Sequence, residues 1–335
     1  MHSPIHLIRQ AELRAPLALL RARAAPVGEI LVRSGLPERL QEPGSGFVPA
    51  RRLLDFLRGG ALTLEMEDFT FRAVLQAPDS QVGSWGERIG RCWRLRDALH
   101  SLCLQIPEDA PFDELGLSYA DDYAWLWRRR HLPPKNPHAE RQGEQYVFAA
   151  MLRAVRTAAG LSWTPPAVRA ESADSDWLLR TDAFSESAAH FGGDVIAIAV
   201  PYDLLDLRLP RATPTDPVPA GEELPAAATD LAGSLQQALT PLLGVEHLSL
   251  DLAAEIAGTS ARSLRRWLQE ERTSFRAVLE RILFEAAEER LREPTLWIAD
   301  ISAELGYANE ANFTRAFKRW TGEAPNAYRR RRCLH

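Results

Sequence analysis

ISAELGYANEANFTRAFKRWTGEAPNAYRR, Ile301 to Arg330, is the stretch on which the reading of this chain turns. Ile301 and Leu305 stand four apart and share one helical face. Gly306 ends that helix at a position where a side chain would clash, and Asn309 is placed to cap the next helix. Phe313 and Phe317, again four apart, bury the second helix against the first. Glu310, Asn312, Arg315 and Arg319 are left facing outward. Exposed Arg and Asn on the second helix of a helix-turn-helix suit base edges in a DNA major groove. The competing reading is a helical hairpin with a solvated charged face.

A second copy favours the first reading. Sliding the chain against itself by 49 positions (252 to 301) lays LAAEIAGTSARSLRRWL, Leu252 to Leu268, over ISAELGYANEANFTRAF, Ile301 to Phe317. Ala254 falls on Ala303, Glu255 on Glu304 and Arg266 on Arg315. Apolar Ile256, Leu264 and Leu268 fall on Leu305, Phe313 and Phe317, and the cap position Ser260 falls on Asn309. Between the copies, FRAVLERILFEAAEERL, Phe275 to Leu291, has apolar residues at helical spacing, Ser274 as N-cap and Pro294 as stop. Its residues rise roughly 25 Å at about 1.5 Å each, and the flanking ends bring two reader helices near the ~34 Å between successive major grooves.

This layout resembles the AraC/XylS family of bacterial transcription regulators over about the last hundred residues. The resemblance rests on Ile301 through Leu305, Gly306-Tyr307, Phe313, Arg315 to Arg319, Gly322, Pro325 and Tyr328-Arg329. Ser302 and Ala311 depart from the family's usual Ala and small hydroxyl residue, and both remain small. The resemblance implies one helix-turn-helix over about 249–270, a linker helix over about 274–292 and a second helix-turn-helix over about 298–321. It places Arg262, Ser263, Arg265 and Arg266 of the first unit in a groove, with Arg262 and Arg266 favoured for guanine edges. In the second unit it places Glu310, Ala311, Asn312 and Arg315 there, where Glu suits cytosine, Ala a thymine methyl and Asn adenine; Lys318 and Arg319 are assigned to phosphate. The implied partners are double-stranded DNA and RNA polymerase, and activation is the implied direction.

Composition bounds the rest. With 335 residues, 46% hydrophobic and 25% charged, the chain is globular and has room for two domains. A net charge of −5 does not advertise DNA, so local placement of charge must carry binding. The basic run Arg329 to Arg332 reads as a solvated tail, with phosphate contact as the alternative. No apolar run approaches the ~20 residues of a membrane helix, and Leu17 to Leu20 is too short for a secretory leader. Cys92, Cys103 and Cys333 form no metal or redox motif and fit a reducing cytoplasm.

LPRATPTDPVPAGEELP, Leu209 to Pro225, forbids regular structure. It sets the expected boundaries: an α+β domain over 1–209, mainly helical with a few strands, a Pro-rich linker over 210–228, and an all-α domain over 229–335. Helical spacing appears at Val27 to Leu36, Ala50 to Leu57 and Gln145 to Ala159. Alternation at Leu115, Leu117 and Tyr119, a turn at Asp121-Asp122, then Tyr123, Trp125 and Trp127 predicts a hairpin, and Val195 to Val200 predicts a further strand. The order of these elements, with GLPERL near Gly35, a helix over Leu95 to Leu104 and HFGGDVIAIAVPYDLLDLRLP at His190 to Pro210, resembles the arabinose-binding-type effector domain of one branch of that family. The resemblance implies a domain that senses a small molecule or mediates homodimerisation. Trp85, Trp93, Tyr123, Trp125, Trp127 and Trp177 are the aromatic residues available to a pocket, and equally to a core.

An enzyme is not expected. His100, His131, His138 and His190 accompany no nucleophile elbow, HExxH or phosphate-cradling glycine loop, so neither a cofactor nor a metal is implied. Cys92 in GRCWR and Cys103 in SLCLQ lack the context of a DNA-repair cysteine. The alternatives are a regulator with no effector, controlled by dimerisation or constitutive, and, more remotely, an architectural DNA-binding protein, which would need minor-groove wedges and a broad basic surface.

Overall fold

The computed structural model describes residues 5–44, 46–78, 81–82, 89, 92–110, 113–120, 122–131, 136–173, 175–210, 226–244 and 246–332. Residues 211–225 of the Pro-rich stretch lie outside the described residues, as do Trp85, Asp121 and Cys333. Two compact units divide the chain near Ala227, the first α+β and the second helical.

In the first unit, strands β1 (Leu7–Arg9) and β2 (Phe47–Pro49) pair antiparallel beside helices α1 (Arg14–Ala22), α2 (Val27–Arg33) and α3 (Ala50–Thr63). Leu13, Leu17, Leu20, Leu31, Phe56 and Leu57 close one apolar cluster there. A second cluster is built on a five-stranded sheet of β3 (Asp113–Tyr119), β4 (Tyr123–Arg130), β5 (Ala167–Arg169), β6 (Ala188–His190) and β7 (Ile196–Pro201), in the order β3-β4-β7-β5-β6. Only β5 and β6 run parallel. The helices α4 (Phe69–Gln76), α5 (Leu95–Asp109), α6 (Pro137–Ala159) and the short α7 (Tyr202–Leu205) complete the unit.

The expected hairpin is present, with Leu117 opposite Leu126 and Gly116 opposite Trp127, but its tryptophans take the other face. Ala124 and Leu126 are fully buried, while Trp125 and Trp127 are half-buried. The indole of Trp127 lies over Gly116, where a Cβ would come within 2.4 Å, and Arg169 stacks on Trp125. Trp177 is packed among Phe71, Phe148 and Phe184, and Trp93 is 67% exposed, so the described aromatic residues do not share one pocket.

Helix α6 begins eight residues before the expected Gln145, at Pro137, where Asn136 Oδ1 accepts from the N–H of His138 and Ala139. Its first half hides polar residues that break the apolar period. Gln142 Oε1 accepts from Thr70 Oγ1 at 2.6 Å, and the amides of Gln142 and Gln145 both donate to the Glu67 carbonyl at 2.8 Å. Cys92 and Cys103 are partly buried, and burial pushes both thiols up, that of Cys103 to about 11.

The second unit comprises α8 (Leu231–Leu239), α9 (Leu250–Ile256), α10 (Ala261–Glu270), α11 (Phe275–Leu291), α12 (Ile298–Glu304), α13 (Glu310–Thr321) and α14 (Pro325–Arg332). Glu271, just past α10, accepts the N–H groups of Leu231 and Ala232 at 3.0 Å each and so caps α8. The basic run expected as a solvated tail is the helix α14. It is held because Tyr328 is buried against Phe317 and donates its hydroxyl to Glu288 at 2.5 Å. Among the described residues no helix is long and apolar enough to cross a membrane.

Candidate nucleic-acid interface

Two helices of the second unit, α10 and α13, are started in the same way. Ser260 Oγ accepts the N–H of Ser263 at 3.1 Å, and Asn309 Oδ1 accepts the N–H of Asn312 at 2.9 Å. Each follows a helix that ends on a left-handed glycine. Behind α9, Gly258 (φ +65°) donates to Glu255 O and Thr259 to Ala254 O; behind α12, Gly306 (φ +78°) donates to Ala303 O and Tyr307 to Ser302 O. Both are Schellman closures, which satisfy carbonyls that the helix leaves open. Neither glycine has a neighbour within 4 Å of a Cβ position, so the torsion, and not a clash, demands glycine there.

The turns differ in length. The glycines stand 48 positions apart (258 to 306) and the caps 49 apart (260 to 309), so the second turn is one residue longer. A single offset of 49 therefore aligns α10 with α13 but not the two turns.

Burial sorts the faces. Leu264 and Leu268 of α10 and Phe313, Ala316 and Phe317 of α13 point inward. Arg262, Arg265 and Arg266 are exposed on α10 while Ser263 is half-buried; Glu310, Ala311, Arg315, Lys318 and Arg319 are exposed on α13 while Asn312 is half-buried. Arg266, 67% exposed, lies 3.8 Å from Glu270, an exposed contact worth little. Among the described residues Arg262, Arg265 and Lys318 have no ion-pair partner.

Two of the expected contacts are engaged within the protein. Arg315 Nη2 donates to Asn312 Oδ1 at 2.5 Å. Arg319 Nη2 donates to Glu280 of α11 at 2.8 Å, and Arg276 holds the same carboxylate at 3.1 Å. Glu280 and Glu270 were not among the expected site residues, although Arg266/Glu270 and Arg276/Glu280 stand at ion-pairing helical spacing in the sequence. The helix α11 spans its expected range and joins the second pair through Ala287, Leu291, Ile298, Ile301 and Phe313. What the surface offers is two arginine-bearing helix faces whose starts are fixed by side-chain caps.

Residues 253–331 match the family model described as a helix-turn-helix domain. An uncharacterized HTH-type transcriptional regulator of Mycobacterium tuberculosis is 44% identical over 81 residues, 24% of this chain and 23% of that protein. The HTH-type transcriptional regulator VqsM of Pseudomonas aeruginosa is 29% identical over 153 residues, 44% of this chain and 47% of that one. The solved structure of transcriptional regulator CdpR from Pseudomonas aeruginosa aligns with 93% of this chain and 98% of its own, at 19% identity and a TM-score of 0.40. The chain spans less than half the length of these curated relatives. Over residues 253–331 the chain is similar to the helix-turn-helix domains of transcription regulators.

Proposed function

We propose that this chain is a sequence-specific, DNA-binding transcription regulator of AraC/XylS type, acting in the cytoplasm. Residues 229–335 form its DNA-binding domain, and two helix-turn-helix units read successive major grooves through α10 and α13. The observation that carries this is the shared construction of those helices: a left-handed glycine turn, a side-chain N-cap, a buried apolar face and exposed arginines. Arg262 and Arg266 read bases from α10, beside Ser263 and Arg265; Glu310, Ala311, Asn312 and Arg315 do so from α13. Lys318 meets phosphate, and Arg319 does so on exchanging Glu280 for a phosphate oxygen. Residues 1–209 form an effector domain of arabinose-binding type that biases this binding through a small molecule, with 210–228 as linker, and bound protein activates RNA polymerase. The experiment is selection of bound fragments from random DNA, followed by the same selection with Arg266→Ala and Arg315→Ala. Each variant should lose about 1–3 kcal/mol on the selected site and relax preference at one position. Unchanged affinity and preference in both would remove them as base readers, and no preference in the parent would remove the regulator reading.

A further inference from the structure

The first unit has a partly open cavity of about 90 Å³ on the seam between its two apolar clusters. Leu53, Leu54 and Leu57 of α3 enter from the helical cluster, and Ile106 of α5, Leu115 of β3 and Val147 of α6 enter from the sheet cluster. The rest of the wall carries charged groups among apolar Leu7, Ile8, Ala50 and Ala110. Arg128 and Arg130 leave the same face of β4, their side chains 10% and 11% exposed. Arg128 Nη2 lies 2.5 Å from Asp113, which also lines the cavity, and Arg130 Nη1 lies 2.5 Å from Glu140 of α6. Glu12 lines it too and accepts the hydroxyl of Tyr146. Burial holds His6 on this wall below its ordinary pKa, so it adds no charge at neutral pH.

Buried charges are costly and are kept where they are paired. Two cations and two anions facing one side of an otherwise aliphatic space match a molecule that carries both signs at one end and hydrocarbon at the other. A simple acid would meet two carboxylates, a simple amine two guanidinium groups, and a sugar would set hydroxyls against leucines. At about 25 Å³ for each non-hydrogen atom, the share benzene takes of a cavity of about 150 Å³, the space buries about three to four non-hydrogen atoms. That is the hydrocarbon of valine or leucine.

We propose that this cavity binds an aliphatic α-amino acid of valine-to-leucine size, with its hydrocarbon in the buried space, its ammonium toward Asp113 and Glu12 and its carboxylate toward Arg128 and Arg130. The assignment rests on the reading of the first unit as a sensor. A molecule seated on the seam ties the two clusters together and stabilises only the folded unit.

The test is thermal unfolding of the full chain with L-alanine, L-valine or L-leucine, against 4-methylpentanoate, which lacks the amine, and 3-methylbutylamine, which lacks the acid. At least one amino acid should raise the melting temperature saturably, by several degrees at a hundredfold excess over its Kd, while both truncated molecules leave it unmoved. Leu57→Phe and Val147→Phe, each folded by its own unliganded melt, should lose the shift, and retention of the shift in both would overturn the site. If neither filled chain folds, amide exchange of the parent decides. Slowing by the effective amino acid at α3, β3, β4 and α6 supports the site, and slowing only elsewhere overturns it. An equal shift from 4-methylpentanoate or the amine overturns the ligand class and leaves a sensing unit in place. A shift with unchanged affinity for the selected DNA site upholds the cavity and overturns the sensor reading; no shift from any probe overturns both.

Discussion

Gly258 and Gly306 separate two reasons for a glycine. Both hold positive φ with open space where a Cβ would sit, so an alanine is strained by its own backbone alone. Gly258→Ala and Gly306→Ala should each cost about 1–2 kcal/mol, read in thermal unfolding, and a loss-free pair would show that the turns relax. Trp297 tests the caps from the opposite side. It is 77% exposed and precedes α12 with extended backbone but no capping bond, whereas Ser249, Ser260, Ser274 and Asn309 all cap their helices. Trp297→Ser should add about 0.5–1.5 kcal/mol, and a lower melting temperature would mean that the indole packs in solution. Glu144, on α6, gives a pH dependence. Burial raises its pKa despite bonds from Ser175 Oγ and the Ser172 N–H. The folded state therefore binds the proton more tightly than the unfolded one. Stability should fall as pH rises from the ordinary carboxylate range through the raised value. Glu144→Gln should flatten that decline in melts taken across pH 4 to 8, and an unchanged slope would place the titration elsewhere. Caps and turn glycines were legible because their chemistry is local to a few residues. The Asn312–Arg315 bond was not, because helical spacing alone does not say which way a long side chain turns.

Helices and strands show where local patterning stops being enough. The outward faces of α10 and α13 follow from apolar residues every three to four positions, although Ser263 and Asn312, read as outward, are half-buried. For strand β4 alternation offers two faces and does not say which is buried. The burial of α6 and α5 against the sheet leaves room for Ala124 and Leu126, and the tryptophans instead lie over Gly116 and under Arg169. The start of α6 was hidden by Gln142 and Gln145, polar residues that are core because Thr70 and Glu67 satisfy them. The cavity was invisible for a related reason: its walls come from α3, α5, α6, β3 and β4, which no spacing rule brings together. Between elements, Glu280 of α11 makes a prediction of its own. Because it holds both Arg276 and Arg319, Glu280→Gln releases two cations beside α13. Binding to DNA should tighten, and the salt dependence should steepen by about 0.9 for each phosphate newly met. An unchanged slope would keep Arg319 off the backbone of the DNA.

At the scale of the whole molecule, a net charge of −5 means that the chain as a whole repels DNA at long range, and on the proposed reading attraction comes from the faces of α10 and α13 at contact. On that reading geometry matters more than charge, and α11, the helix between α10 and α13, sets the geometry. Its 17 residues rise roughly 25 Å, and its apolar side is locked to the second pair through Ala287 and Leu291. A rigid spacer of that length suits readers about one helical turn of DNA apart, about 10–10.5 base pairs or ~34–36 Å. Two grips joined by a flexible tether would behave differently when the site is altered. Inserting five base pairs between the halves of the selected site turns the second groove to the far side, and both kinds of protein should lose binding. Inserting ten restores the face but roughly doubles the separation, a span that a tether tolerates and α11 cannot. Affinity for the ten-pair insertion should therefore fall to that of a half-site alone, measured beside each isolated half. Recovery to near the parent value would show that α11 does not set the spacing, and that the two readers are joined through something that yields.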